Sequence, residues 1–141
     1  MAFRDTESAI GRAIVVPVVR EESAGAALSV ASWLIDQGLD VVELTASTRD
    51  WERAVDALEG VVVGVGTLRT REDAQRAVAA GARFLVSPCP APDVRAVADA
   101  AGLPLLEGGF TPGEVLAATD RGIAKLFPAS AAPGCCARSS R

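Results

Sequence analysis

Six short apolar runs, at residues 13–19, 39–44, 61–65, 83–86, 103–106 and 122–127, alternate with alanine-rich segments of helical period. Residues 24–36 place Ala27, Leu28, Ala31, Leu34 and Ile35 on one helical face, and residues 51–58, 71–80, 93–100 and 112–120 supply four more such segments. Gly38, Gly60, Gly81, Gly102 and Gly122 each stand between a helical segment and the next apolar run, where a helix C′ glycine belongs. Thr70 precedes Asp73 by three residues, and Thr111-Pro112-Gly113-Glu114 reads as a capping box with proline at the first helical position. Strand alternating with helix in this way implies parallel strands joined by right-handed crossovers.

A leucine-rich repeat is excluded, because the L-x-x-L-x-L-x-x-N pattern is missing and the units are alike in architecture rather than residue for residue. The chain of 141 residues therefore reads as α/β, a parallel (β/α) barrel of the TIM type with about six of the eight β/α units that close such a barrel. Residues 1–12 are a polar lead-in without the apolar core of a signal peptide. Residues 13–130 make up the partial barrel, and residues 131–141 form a tail with neither helical nor strand period. We expect a barrel cut short, its original reading frame ending near Ser130 and the tail frameshifted; a frayed terminus is the plainer alternative.

Absences narrow the chemistry. With no histidine anywhere in the chain, Ser-His-Asp and Cys-His nucleophilic systems, His-ligated metals and His acid–base catalysis are all ruled out. Cys89, Cys135 and Cys136 lack zinc-ligand spacing, so no metal site is expected. A net charge of −4 without any basic cluster, and only six aromatic residues, argue against nucleic acid. No apolar run approaches the roughly 20 residues of a membrane span, so the expected location is the cytoplasm.

Against this background one residue is conspicuous. Lys125 is the only lysine, set in the apolar run Ile123-Ala124-Lys125-Leu126-Phe127-Pro128, while the other thirteen side-chain cations are all arginine. Arginine stays charged at any working pH, whereas a lysine drawn out of water can shed its proton and act as a nucleophilic amine, the chemistry of a Schiff base. The plain alternative is a strand-end lysine whose stem packs and whose head reaches water. In parallel α/β folds ligands meet the C-terminal ends of the strands. The polar residues at those ends are Arg20 after the first run, Glu43 and Thr45 in the second, Gly64-Val65-Gly66-Thr67 after the third, Ser87-Pro88 after the fourth, and Lys125 in the sixth. Period-two alternation puts Val41, Glu43 and Thr45 on one face, and a buried carboxylate there needs a partner such as a lysine. Each residue also has a structural reading: Glu43 as an ion-pair partner, Arg20 as a solvated charge, Gly64-x-Gly66-Thr67 as a tight turn, and Ser87-Pro88 as a turn.

These pieces together resemble the 2-keto-3-deoxy-6-phosphogluconate (KDPG) and 4-hydroxy-2-oxoglutarate aldolase family of class I aldolases. The resemblance rests on Pro17-Val18-Val19-Arg20, Glu43-Leu44-Thr45, Val63-Gly64-Val65-Gly66-Thr67, the stretch 80–88, Gly109-Phe110-Thr111-Pro112-Gly113-Glu114 and Lys125-Leu126-Phe127-Pro128-Ala129. It implies that Lys125 is the Schiff-base lysine and Glu43 the acid–base glutamate. It implies that Arg20 and Thr67 bind substrate, that Pro88 and Phe127 wall the pocket, that no cofactor is used, and that the assembly is a homotrimer. The chain departs from the family in three places. Ser47 stands where some members carry arginine, with Arg49 two residues on, and Glu107-Gly108-Gly109 stands where the family often has Pro-Gly. The family's phosphate site lies after strands seven and eight, which this chain does not reach.

The function expected from the resemblance is cleavage of KDPG to pyruvate and glyceraldehyde 3-phosphate, or the related cleavage of 4-hydroxy-2-oxoglutarate, with a small 2-keto acid as the partner molecule. Two other readings stay open: a catalytically inactive truncated barrel, whose raw sheet edges invite association, and another phosphate-binding barrel enzyme such as a sugar-phosphate epimerase or synthase.

Overall fold

The computed structural model describes residues 3–129, so the tail at 131–141 and its two cysteines lie outside the described residues. A helix α1 (Phe3–Arg12) precedes five strand–helix steps and a sixth strand, and the first three steps are β1 (Val18–Val19), α2 (Ala24–Asp36), β2 (Val41–Thr45), α3 (Trp51–Ala57), β3 (Val62–Gly66) and α4 (Arg71–Ala79). The chain continues through β4 (Phe84–Ser87), α5 (Pro92–Ala101), β5 (Leu105–Gly109), α6 (Pro112–Thr119) and β6 (Ile123–Leu126). All neighbours pair in parallel, in the order β1-β2-β3-β4-β5-β6. This is the succession of parallel units that the sequence implied.

The capping residues act as their chemistry predicts. Thr70 Oγ1 accepts from the Asp73 N–H at the start of α4, and Thr111 and Glu114 form a reciprocal capping box on α6. Ser23 does the same for α2 through the Ala26 N–H. The five glycines between helix and strand all take positive φ, the conformation a helix needs to turn back toward the sheet.

Each strand serves two cores. Val42, Leu44, Val63, Val65, Leu85 and Leu105 face outward onto the helices, which meet them largely through alanines such as Ala27, Ala31, Ala54, Ala74, Ala77 and Ala98. Small side chains let the helices lie close over the sheet. The alternate residues Val41, Val62, Phe84 and Val86 turn inward and form a second cluster with Ile10 of α1. Because Val41 and Val62 begin their strands, α1 closes the N-terminal end of the barrel interior. Within the polar lead-in expected at 1–12, Phe3–Arg12 is thus a helix, anchored among its described side chains by Ile10 with Ala9 beside it.

Two strands differ from expectation. Of the run 13–19 only Val18 and Val19 enter the sheet, while Ile14 is fully exposed. On the far side β6 is partly exposed along its whole length. Both are outer strands with a neighbour on one side only among the described residues, so neither receives the two-sided cover that its composition suggested.

Candidate active site

A flat sheet would hold β2 and β6, four strand spacings apart, at about 19 Å. Yet Lys125 Nζ lies 3.5 Å from Glu43 Oε2. The sheet is therefore curved into most of a barrel wall, and the inward residues of distant strands converge. A cavity of ≈ 280 Å³ at the C-terminal ends of the strands is lined by Arg20, Glu43, Thr67, Pro88, Lys125 and Phe127, together with Val18 and Val86. All six residues singled out from the sequence meet there.

The local sequence makes room for each group. Glu43 lies at the centre of β2 with its side chain only 5% exposed. A Cβ built on Gly66 would land on its Oε1 atom, so the absence of a side chain at Gly66 is what admits the carboxylate. Gly64 plays the same part for the Phe84 ring on the next strand. The glycine pair read as a tight turn thus creates interior space, a purpose that its spacing alone does not reveal.

Thr67 follows directly with φ of 64°, a left-handed conformation that is unusual for a β-branched residue. Strain of this kind, of order 1–3 kcal/mol, persists where the surroundings hold it and clusters at functional sites. It presents Oγ1 to Arg20, whose Nη2 donates to it at 3.4 Å. Thr45 turns its hydroxyl to Ser47 at 3.0 Å and does not line the cavity.

Burial pushes the Glu43 carboxyl above the ordinary glutamate range, with the Lys125 ammonium and Arg20 pulling the other way. Lys125 is less enclosed than its apolar run suggested. Its side chain is 30% exposed, β6 having a neighbour on one side only among the described residues, and its Nζ stands 5.7 Å from the centre of the Phe127 ring. The pair joins a recessed acid–base group to an amine that an incoming molecule can reach. A larger hollow of ≈ 400 Å³ between α3 and α4 is lined by Glu52, Arg53, Asp56 and Arg76. Glu52 and Arg76 are paired to each other there, and none of the four carries an amine, thiol or hydroxyl. Among the described residues no group of His, Cys, Asp or Glu is arranged to hold a metal ion, and no helix is long and apolar enough to cross a membrane.

One buried acid escaped the sequence reading. Glu107 on β5 is 1% exposed; its Oε1 accepts from the Ala91 N–H at 3.1 Å, and its Oε2 from Arg95 Nη2 at 3.1 Å and Arg121 Nη2 at 2.9 Å. Burial alone would raise its carboxyl, but the hydrogen bonds from Ala91 and Arg95 and the charges of Arg95 and Arg121 outweigh that and hold it below the usual range. The signal was available as an acid within an apolar strand, the same signal that marked Glu43.

Residues 6–139 match the family model described as KDPG and KHG aldolase. The 2-dehydro-3-deoxy-phosphogluconate aldolase of Treponema pallidum is 38% identical over 127 residues, covering 86% of this chain and 60% of that protein. The 2-keto-3-deoxy-6-phosphogluconate aldolase of Zymomonas mobilis ZM4, solved with 3-phosphoglycerate, superposes with a TM-score of 0.79 at 34% identity, covering 92% of this chain and 64% of that one. The KDPG aldolase of Legionella pneumophila, with pyruvate captured as a covalent carbinolamine intermediate, gives 0.80 at 29% identity, covering 92% and 66%. The chain spans about three fifths of the length of the curated relatives it matches.

Proposed function

This chain belongs to the KDPG and KHG aldolase family, and from that premise we propose that it is a class I aldolase working through a Schiff base on Lys125. The observation that carries the reading is the placement of the sole lysine amine 3.5 Å from a buried glutamate inside one cavity. A carbinolamine is the addition product of an amine and a ketone, and Lys125 is the only side-chain amine this chain has to form one.

The amine of Lys125 adds to the C2 ketone of a 2-keto-3-deoxy acid. Glu43, whose raised proton affinity suits it to give and take protons, protonates the carbinolamine hydroxyl, which leaves as water to form the iminium. The ionised Glu43 then removes the C4 hydroxyl proton. The C3–C4 bond breaks, its electron pair flows into the iminium to give an enamine, and the aldehyde departs. Protonation of the enamine carbon and addition of water release pyruvate and restore the amine. Arg20 and Thr67 hold the carboxylate end, while Pro88 and Phe127 wall the cavity and limit water. With KDPG the aldehyde is glyceraldehyde 3-phosphate; 4-hydroxy-2-oxoglutarate is cleaved by the same steps. The reading keeps the cytoplasm, the location expected from the sequence, as the place of the reaction. A homotrimeric assembly belongs to the same reading and is checked by light scattering.

The test is the intact mass of the protein after incubation with pyruvate and borohydride, with the modified residue mapped. A reduced pyruvyl adduct on Lys125, lost in Lys125→Arg, is expected. A folded sample that forms no adduct overturns the reading, and an epimerase or synthase of sugar phosphates would give none.

A further inference from the structure

We propose that Glu107 is a positioning residue for Lys125: through Arg121 and the Ala91 amide, its carboxylate ties the lysine-bearing strand and the Pro88 loop to one point on β5. The geometry stands by itself; the catalytic consequence rests on the Schiff-base reading above.

The register places Glu107 between the two elements it serves. On one side it pairs with Ser87, the residue before Pro88, and on the other with Ala124, the residue before Lys125. Its side chain points outward with that of Leu105, which belongs to the helix-facing core, and meets Arg95 on α5. Oε1 takes the Ala91 N–H and so anchors the far end of the loop that starts at Pro88. Oε2 takes Arg121, in the turn that feeds β6, and Arg95 Nη1 adds a second bond to that turn through the Arg121 carbonyl at 3.3 Å.

The inward side of the same strand completes the arrangement. The next residue, Gly108, is the partner of Lys125, and a Cβ there would strike the Pro88 carbonyl. The loop therefore packs directly on the strand at the level of the lysine. β6 has a neighbour on one side only among the described residues. Its placement depends on the β5 ladder, on the Phe127 N–H bond to the Gly109 carbonyl at 3.1 Å, and on the Glu107–Arg121 tie. An outer strand lacking that tie holds its amine less closely to Glu43, and misplacement of a reacting group by about 1 Å lowers rate by up to roughly 100-fold.

Because Lys125 is the only lysine, ¹⁵N-lysine labelling yields one backbone amide resonance, a direct report on β6. Arg121 is half-exposed, so Arg121→Ala keeps the fold, and Glu107→Gln serves as the second variant. In both we expect the Lys125 amide resonance to shift and to lose exchange protection. We also expect the maximal rate of borohydride trapping with pyruvate to fall about 10- to 100-fold at an unchanged half-saturating pyruvate concentration. Arg121→Gln, which keeps a side-chain N–H donor and adds no second lysine, should recover part of both. Variants that melt earlier yet leave the Lys125 resonance and its protection unmoved overturn the proposal. If the unaltered chain traps no pyruvate, the aldolase reading fails separately, and the amide resonance still decides whether Glu107 places the strand.

Discussion

Replacing Gly66 by alanine sets a methyl group against the Glu43 carboxylate. Gly66 ends β3 beside Thr45 of β2, and a Cβ there meets Glu43 Oε1 directly, with Cγ at 3.0 Å. Gly66 does not take positive φ, so alanine fits its backbone and the conflict is purely one of side-chain space. Glu43 is buried and must move. Overpacking of this kind costs about 1–3 kcal/mol. The stiffer unfolded chain returns about 0.4–1 kcal/mol, so a net loss of about 0.5–2 kcal/mol is expected. The effect on chemistry is larger in proportion, because a carboxylate displaced by about 1 Å from Lys125 lowers the rate of Schiff-base formation by up to roughly 100-fold. Urea unfolding gives the first quantity and the rate of pyruvate trapping by borohydride the second. Gly25→Ala is the control: on α2 the added methyl meets nothing within 4 Å, so stability should rise by about 0.5–1 kcal/mol with trapping unchanged. A Gly66→Ala protein that is destabilised but traps pyruvate at the original rate would refute the role assigned to Glu43.

Burial holds the proton on Glu43 above pH 4.5, where the unfolded chain loses it, so this residue makes stability fall as pH rises through its native value. Glu43→Gln should flatten that fall, seen as urea midpoints less dependent on pH, while removing turnover. Glu107 has the opposite sign: its lowered native value means that its contribution is present above the ordinary glutamate range and is lost as pH falls through the native value. Glu107→Ala should cost about 3 kcal/mol in chemical denaturation, since the nearly buried Arg95 then keeps only the Arg121 carbonyl and a 3.9 Å contact to the exposed Asp99. Thr70→Ala removes the cap of α4 and should cost about 1 kcal/mol with no change in trapping.

Much of this was legible in the sequence because local and global signals agree. The capping box at Thr111 and the helix-exit glycines announce helix ends through backbone chemistry that no tertiary contact overrides. The grouping of the candidate site was legible for a related reason: an ionisable residue inside an apolar strand must be explained by a partner, and strand-end position in a parallel sheet says where partners meet. What was hidden depends on neighbours along the sheet rather than along the chain. The interior space at Gly66 is apparent only once β2 is set beside β3. The exposure of Lys125 accompanies the outer place of β6 among the described residues, and the short β1 holds the outer place at the other edge. Helix α1 was missed because its buried face is narrow: Thr6 and Ile10 are its only buried side chains described.

The two buried glutamates give an internal measure of what the Lys125–Glu43 pair is for. Where the chain needs a carboxylate for structure, at Glu107, it supplies three donors at 2.9–3.1 Å, occupies both oxygens and lowers the pKa. Glu43, on the inward face, receives one contact at 3.5 Å from a lysine that is itself partly exposed, borders a cavity, and has its pKa raised. A pair selected only to neutralise buried charge would resemble the first environment, since an imperfectly matched buried ion pair recovers little of its desolvation cost. Carboxylates whose surroundings push their proton affinities apart are serving different purposes. The strained Thr67 and the glycine that makes room for Glu43 adjoin the loosely matched acid, so part of the conformational cost of this barrel falls where the proposed acid–base group must stay free to exchange its proton.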